Sequence, residues 1–121
     1  MNLTGKYIIV TGGAGGIGFA TVKMLLESGS IIGLVDKDKK KLNEIKKFIK
    51  NDQKDRVFFY EIDIGHFEQV EETVNDFFNK GQSIDALINN AAILRDSPLI
   101  SIFQGQLKKY PLENWNETLS S

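Results

Sequence analysis

Residues 6–25, KYIIVTGGAGGIGFATVKML, constrain the fold more than any other stretch of the chain. Five glycines fall within seven positions, at 12, 13, 15, 16 and 18, directly after a short apolar run at residues 7–10. Behind them Ile17, Ala20, Thr21, Met24 and Leu25 recur at helical spacing,. The pattern predicts a strand, a tight glycine turn and a helix. Side chains forbid the backbone angles such a turn needs, and a phosphate approaches a backbone closely only where no Cβ intervenes. The helix that follows opens with unpaired N–H groups at the positive end of its dipole, which suits an anion.

Two templates fit these glycines. Gly13, Gly15 and Gly18 match the dinucleotide pattern G-x-G-x-x-G,. Thr11, Gly12, Gly16, Ile17 and Gly18 match T-G-x-x-x-G-I-G. The bland alternative is a glycine turn that packs a helix on a sheet and binds nothing. A Walker-type phosphate loop is excluded, because Gly18 is followed by Phe19 rather than by Lys-Ser or Lys-Thr,.

Read in order, residues 6–10 form the first strand, and the first helix runs to Ser28 with Gly29 as its stop,. A second strand at 31–35 ends at Asp36. Asp38 caps a second helix whose apolar face carries Leu42, Ile45, Phe48 and Ile49,. Residues 51–55 read as a polar turn, and 57–62 as a third strand ending at Asp63. Phe67, Val70, Val74, Phe77 and Phe78 mark a third helix that stops near Gly81. A fourth strand at 84–88 runs into Asn89, Asn90, Ala91 and Ala92. Residues 95–110 carry Pro98 and Gly105 and no clean period, so they read as a loop or a short irregular helix; 112–119, with Pro111 before them, read as the start of a helix,.

Nearly all-apolar strands alternating with helices predict an α/β fold, a parallel sheet covered on both faces. Right-handed crossovers give a Rossmann-type three-layer half-domain over residues 1–121 with strand order 3-2-1-4. Its ligand crevice lies between the first and fourth strands. No fifth strand follows in this reading, so these residues are expected to leave the outer edge of the fourth strand open, to be covered by the remainder of a longer protein or by association with another chain.

The formal net charge of −1 gives no electrostatic case for nucleic acid or an anionic membrane surface,. Residues 37–50 carry seven lysines, read here as the solvated face of a helix. The absence of cysteine excludes a disulfide framework and fits a reducing cytoplasm,. The apolar run at 7–10 is too short for a signal peptide or a membrane span,. One histidine, His66, and no cysteine give no metal-ligand spacing,. His66 is expected in solvent, and Trp115 and the phenylalanines at helical spacing in the core.

Chemistry collects at the strand ends. A carboxylate at Asp36, eighteen residues past Gly18, can accept from both hydroxyls of an adenosine ribose and repels a 2′-phosphate,. NAD is therefore favoured over NADP, although Lys37 and Lys39 stand nearby. Asp63 can accept from an adenine amino group, with the Ile64 backbone beside it. Either aspartate could instead serve only its own turn.

With these residues in place, the chain resembles the short-chain dehydrogenase/reductase family. Thr11-Gly12 and Gly16-Ile17-Gly18 are similar to its cofactor loop. Asn89-Asn90-Ala91-Ala92 is similar to its N-N-A-G motif, with Ala92 in place of the usual glycine. The resemblance implies that Asn89 and Ala91 line the cofactor site. It also implies that residues 110–119 open the family's next helix. Such an enzyme moves hydride between a nicotinamide and a small-molecule alcohol or carbonyl compound, and a homo-oligomer is expected. The family's acid/base is a tyrosine with a lysine four residues on. Here Tyr7, Tyr60 and Tyr110 are followed at that spacing by Thr11, Ile64 and Asn114, so no catalytic residue is assigned. Two alternatives stand beside the oxidoreductase: a catalytically silent nucleotide-binding module, and an S-adenosylmethionine-dependent methyltransferase-like domain, against which the Asn89–Ala92 motif argues.

Overall fold

The computed structural model describes residues 2–12, 16–89 and 116–119, with the backbone alone at 17, 89 and 116–119. Its strands are β1 (Tyr7–Thr11), β2 (Ile31–Asp36), β3 (Val57–Glu61), β4 (Ala86–Asn89) and β5 (Asn116–Leu119). Its helices are α1 (Gly16–Glu27), α2 (Lys39–Lys46) and α3 (Phe67–Gly81). The strands form one sheet in the order β3-β2-β1-β4-β5, and every pairing is parallel. The order 3-2-1-4 is the one read from the alternation of strands and helices.

The period of two along the strands builds two cores. Ile8, Val10, Ile32 and Leu34 face one way and pack with Val22, Leu25 and Leu26 of α1 and Leu42 and Ile45 of α2. Ile9, Val35 and Leu87 face the other way and pack with Val70, Val74, Phe77 and Phe78 of α3. The sheet is thus covered on both faces, α1 and α2 on one and α3 on the other.

Local chemistry ends each helix. After α1 the chain turns at Gly29, whose φ of +93° suits glycine, and Ser30 N–H returns to the Leu25 carbonyl,. The Arg56 guanidinium donates to the carbonyls of Leu26 (3.0 Å) and Ser30 (2.9 Å), satisfying acceptors that the end of α1 leaves open,. Asp38 caps α2 as expected, accepting from Lys41 N–H at 3.2 Å. Helix α3 ends at Gly81, where the sequence places its stop, with Gln82 as the cap. Gln82 takes the left-handed conformation (φ 57°) and donates to the Phe78 carbonyl, while the helical Gly81 leaves room for the Tyr7 ring, which a Cβ would strike.

Four expectations are corrected. The buried stripe of α1 is Gly18, Val22, Leu25 and Leu26, and Met24 is 51% exposed. The helix is apolar on most of its circumference, so two stripes competed and the one facing the sheet won. Phe48 leaves the apolar face of α2 because that helix ends at Lys46; it is 69% exposed and its ring meets Phe19 at 5.9 Å between centroids. Residues 51–56 form a short 3-10 helix rather than a simple turn. Residues 116–119 form β5, not a helix. They pair with β4 from Ala86↔Asn116 to Asn89↔Leu119, so the edge of β4 expected to lie open is hydrogen-bonded. Four residues hold little helix by themselves, whereas each can satisfy backbone groups of a strand. Trp115 and the expected loop at 95–110 lie outside the described residues.

One polar cluster stiffens the outer edge. Tyr60 Oη donates to Asp76 Oδ2 at 2.5 Å, and Lys80 Nζ lies 3.7 Å from the same carboxylate and 4.2 Å from the centroid of the Phe58 ring. Burial first, then the hydrogen bond to Asp76 and its charge, raise the Tyr60 pKa above its ordinary 10.0. A pKa raised in the folded state gives stability that is complete below the unfolded value and lost as pH rises beyond it. Native chain should therefore lose stability above about pH 10, and its advantage over Tyr60→Phe should shrink there while staying constant at neutral pH. Urea titrations across that range check this; a parallel decline in both proteins would show that Tyr60 is not responsible.

Candidate functional site

The carboxyl ends of four neighbouring strands bring the sequence-predicted residues to one edge of the sheet. Thr11 ends β1, is 2% exposed, and sits between Val35 of β2 and Asn89 of β4 in the parallel register. Gly12 follows with φ +65°, and its N–H donates to the Val35 carbonyl at 2.8 Å. This bond sets the entrance of the glycine loop beside the next residue of β2, which is Asp36. Glycine is needed at position 12 because other L-residues are strained at that angle.

Helix α1 begins at Gly16, so Gly16, Ile17 and Gly18 form its first turn. A Cβ built on Gly16 would meet nothing within 4 Å, whereas Gly18 is buried. The first turn contains no acidic side chain that would compete with an incoming anion,. An open approach at the positive end of a twelve-residue helix fits a phosphate group,.

Asp36 lies at the end of β2, half-buried, and its Oδ1 accepts from Asp38 N–H at 2.9 Å. Its carbonyl accepts from Ile62 N–H, which ties the end of β3 to the end of β2. Asp63 stands two residues past β3, exposed; its Oδ1 accepts from Gly65 N–H at 2.9 Å, and its Oδ2 lies 3.9 Å from His66 Nε2. Each aspartate thus accepts a backbone N–H within its own turn. Ile64 packs against the α3 core. Asn89 is placed by its backbone at the end of β4, paired with Thr11, while Asn90, Ala91 and Ala92 lie outside the described residues.

His66 is the N-cap residue of α3 but its side chain makes no capping bond, and it is largely exposed. Sequence reasoning missed Gln69, whose Oε1 accepts from Asp63 N–H at 3.3 Å and helps to hold that turn. Among the described residues no cluster of His, Asp or Glu is arranged to hold a metal ion, and no helix is long and apolar enough to cross a membrane.

A profile of the short chain dehydrogenase family matches residues 6–120. The chain belongs to that family. Over 121 residues it is 30% identical to the 3-oxoacyl-acyl-carrier-protein reductase FabG of Chlamydia pneumoniae, covering 100% of this chain and 45% of that one. The crystal structure of L-sorbose reductase from Gluconobacter frateurii, complexed with NADPH and L-sorbose, aligns with a TM-score of 0.67 at 26% identity. That alignment covers 88% of this chain and 43% of the reductase. A 3-ketoacyl-acyl-carrier-protein reductase from Brucella melitensis, complexed with NADH, aligns with a TM-score of 0.75 at 21% identity over 90% of this chain and 51% of that one, a likeness of fold. The chain thus spans about half the length of these relatives.

Proposed function

We propose that this chain is the dinucleotide-binding portion of a short-chain dehydrogenase, and that it binds NAD(H) in preference to NADP(H). The observation that supports the reading is the Gly12-to-Val35 hydrogen bond, which holds the end of β1 beside the end of β2, where Asp36 stands. In this arrangement the first-turn N–H groups of Gly16, Ile17 and Gly18 hold the pyrophosphate. Thr11 and Gly12 shape the loop. Asp36 accepts from the adenosine ribose hydroxyls, Asp63 and Ile64 receive the adenine, and Asn89 and Ala91 lie toward the nicotinamide. When bound, the nicotinamide supplies or takes the hydride exchanged with a carbinol or carbonyl carbon of a small substrate.

The chain's own tyrosines do not suit proton transfer. None has a lysine four residues on, and burial, together with the hydrogen bond to Asp76, raises the Tyr60 pKa, the reverse of what a general base requires,. These facts favour a second reading, a nucleotide-binding module without catalysis of its own. The reading includes a cytoplasmic protein without nucleic-acid or membrane partners, in keeping with a cysteine-free chain of near-zero net charge.

Calorimetric titration tests both the site and its preference. NADH should bind at least about tenfold more tightly than NADPH, roughly 1.4 kcal/mol. A 2′-phosphate facing Asp36 adds like-charge repulsion, so Asp36→Ala should narrow the gap. Equal affinity for the two nucleotides in the native chain would refute the preference, and no binding of either would refute the site.

A further inference from the structure

Asp63 is fixed through its N–H, its carbonyl and one carboxylate oxygen. Strand β3 lies at the outer edge of the sheet, with β2 as its neighbour. Beyond the strand Ile62 N–H still reaches across to the Asp36 carbonyl at 3.1 Å. The next N–H, that of Asp63, falls past the paired strands, where an edge leaves such groups open. Gln69 Oε1 accepts it at 3.3 Å. The Asp63 carbonyl accepts from His66 N–H at 2.9 Å, and Oδ1 accepts from Gly65 N–H at 2.9 Å. Oδ2 stands 3.9 Å from His66 Nε2, outside hydrogen-bond distance,.

Gln69 is the third residue of α3. A glutamine there commonly reaches back to the N–H of the capping residue. Here that N–H, on His66, already donates to the Asp63 carbonyl, and Gln69 reaches three residues further back, to Asp63 itself. The bond ties the start of α3 to the end of β3. Gln69 is exposed, so a change of its side chain leaves the core intact.

We infer that Gln69 is a positioning residue for base recognition, acting through Asp63. This rests on the reading above in which Asp63 accepts from the adenine amino group. Gln69 holds the main chain of Asp63, Gly65 holds Oδ1, and Oδ2 is the acceptor offered to the base. Hypoxanthine carries an oxygen where adenine carries its amino group. A carboxylate facing that oxygen sets acceptor against acceptor. Held in place, Asp63 selects the base with the amino group; released, it turns away and the selection fades.

The test compares NADH with its hypoxanthine analogue, which differs at that position of the base alone. Calorimetry on the native chain should show NADH binding at least about fivefold more tightly, the scale of one hydrogen bond lost from a charged group at an exposed site. Gln69→Leu should bring the two affinities within about twofold of each other. Gln69→Glu keeps an acceptor of the same reach and should restore the preference; its added charge repels both nucleotides alike and drops out of the ratio. Hydrogen exchange at the Asp63 amide gives a readout without nucleotide: it should quicken at least about threefold in Gln69→Leu and not in Gln69→Glu. Equal native affinity for the two nucleotides, or binding of neither, would overturn the adenine role of Asp63 and this inference with it. A preference that survives Gln69→Leu would overturn the role of Gln69 alone. So would unchanged exchange at Asp63, or a loss that Gln69→Glu fails to restore.

Discussion

Phe77→Ala should lower the free energy of unfolding by about 3–5 kcal/mol. The ring is fully buried at the centre of the α3 core, with edge-on contacts to Tyr7, Phe58 and Tyr60 at centroid separations of 5.6, 6.4 and 6.5 Å. Gly33 of β2 is shaped to it: a Cβ there would come within 3.0 Å of the Phe77 ring. Truncation removes dispersion and burial together and leaves a hole whose floor is backbone, which cannot collapse inward. A domain of this size commonly has about 5–15 kcal/mol in all, so the variant would be marginal at room temperature. Urea unfolding followed by circular dichroism measures the loss, and a change below about 1 kcal/mol would mean that the ring is not the keystone of that face. Phe77→Leu, which keeps much of the volume, should fall between the two.

The same ring shows why most of the fold was legible. Phe77 belongs to a run, Val70, Val74, Phe77 and Phe78, whose spacing admits only one buried stripe, and the opposite face of α3 is charged. Where one stripe excludes the others, periodicity decides. In α1 it did not, because the stripe of Ile17, Ala20, Thr21 and Met24 competes with that of Gly18, Val22 and Leu26 for the sheet, Leu25 fits both, and only the register of the helix start selects between them. Residues 116–119 failed for a different reason. Their strand exists through hydrogen bonds to β4, a long-range pairing that no local pattern in four residues announces,.

The candidate site was legible wherever backbone geometry demanded a residue type. Gly12 adopts the positive φ that its position in the loop suggested, and Asp36 stands beside it because parallel register aligns the ends of β1 and β2. What the sequence withheld was how the carboxylates are engaged. The bond from Asp38 N–H to Asp36 and that from Gly65 N–H to Asp63 arise from turn conformations two residues long. A turn role and a ligand role ask for the same residue at the same place, so composition and spacing do not separate them.

Gly16, unlike Gly18, separates folding from binding. Gly16→Ala should leave the protein as stable as before or slightly more so, since alanine favours helix by up to about 1 kcal/mol over glycine and its Cβ would meet nothing within 4 Å,. If the pyrophosphate lies in that open space, as proposed, the same methyl group should weaken NADH binding by about tenfold or more, roughly 1.4 kcal/mol. Gly18→Val should abolish measurable binding and also cost stability, on the order of 1–3 kcal/mol, because position 18 is buried and a branched side chain there overfills it,. Thermal melts and NADH titration of both variants give the two readouts independently. If Gly16→Ala folds normally and binds NADH within about threefold of the native chain, roughly 0.7 kcal/mol, the phosphate does not lie against the start of α1.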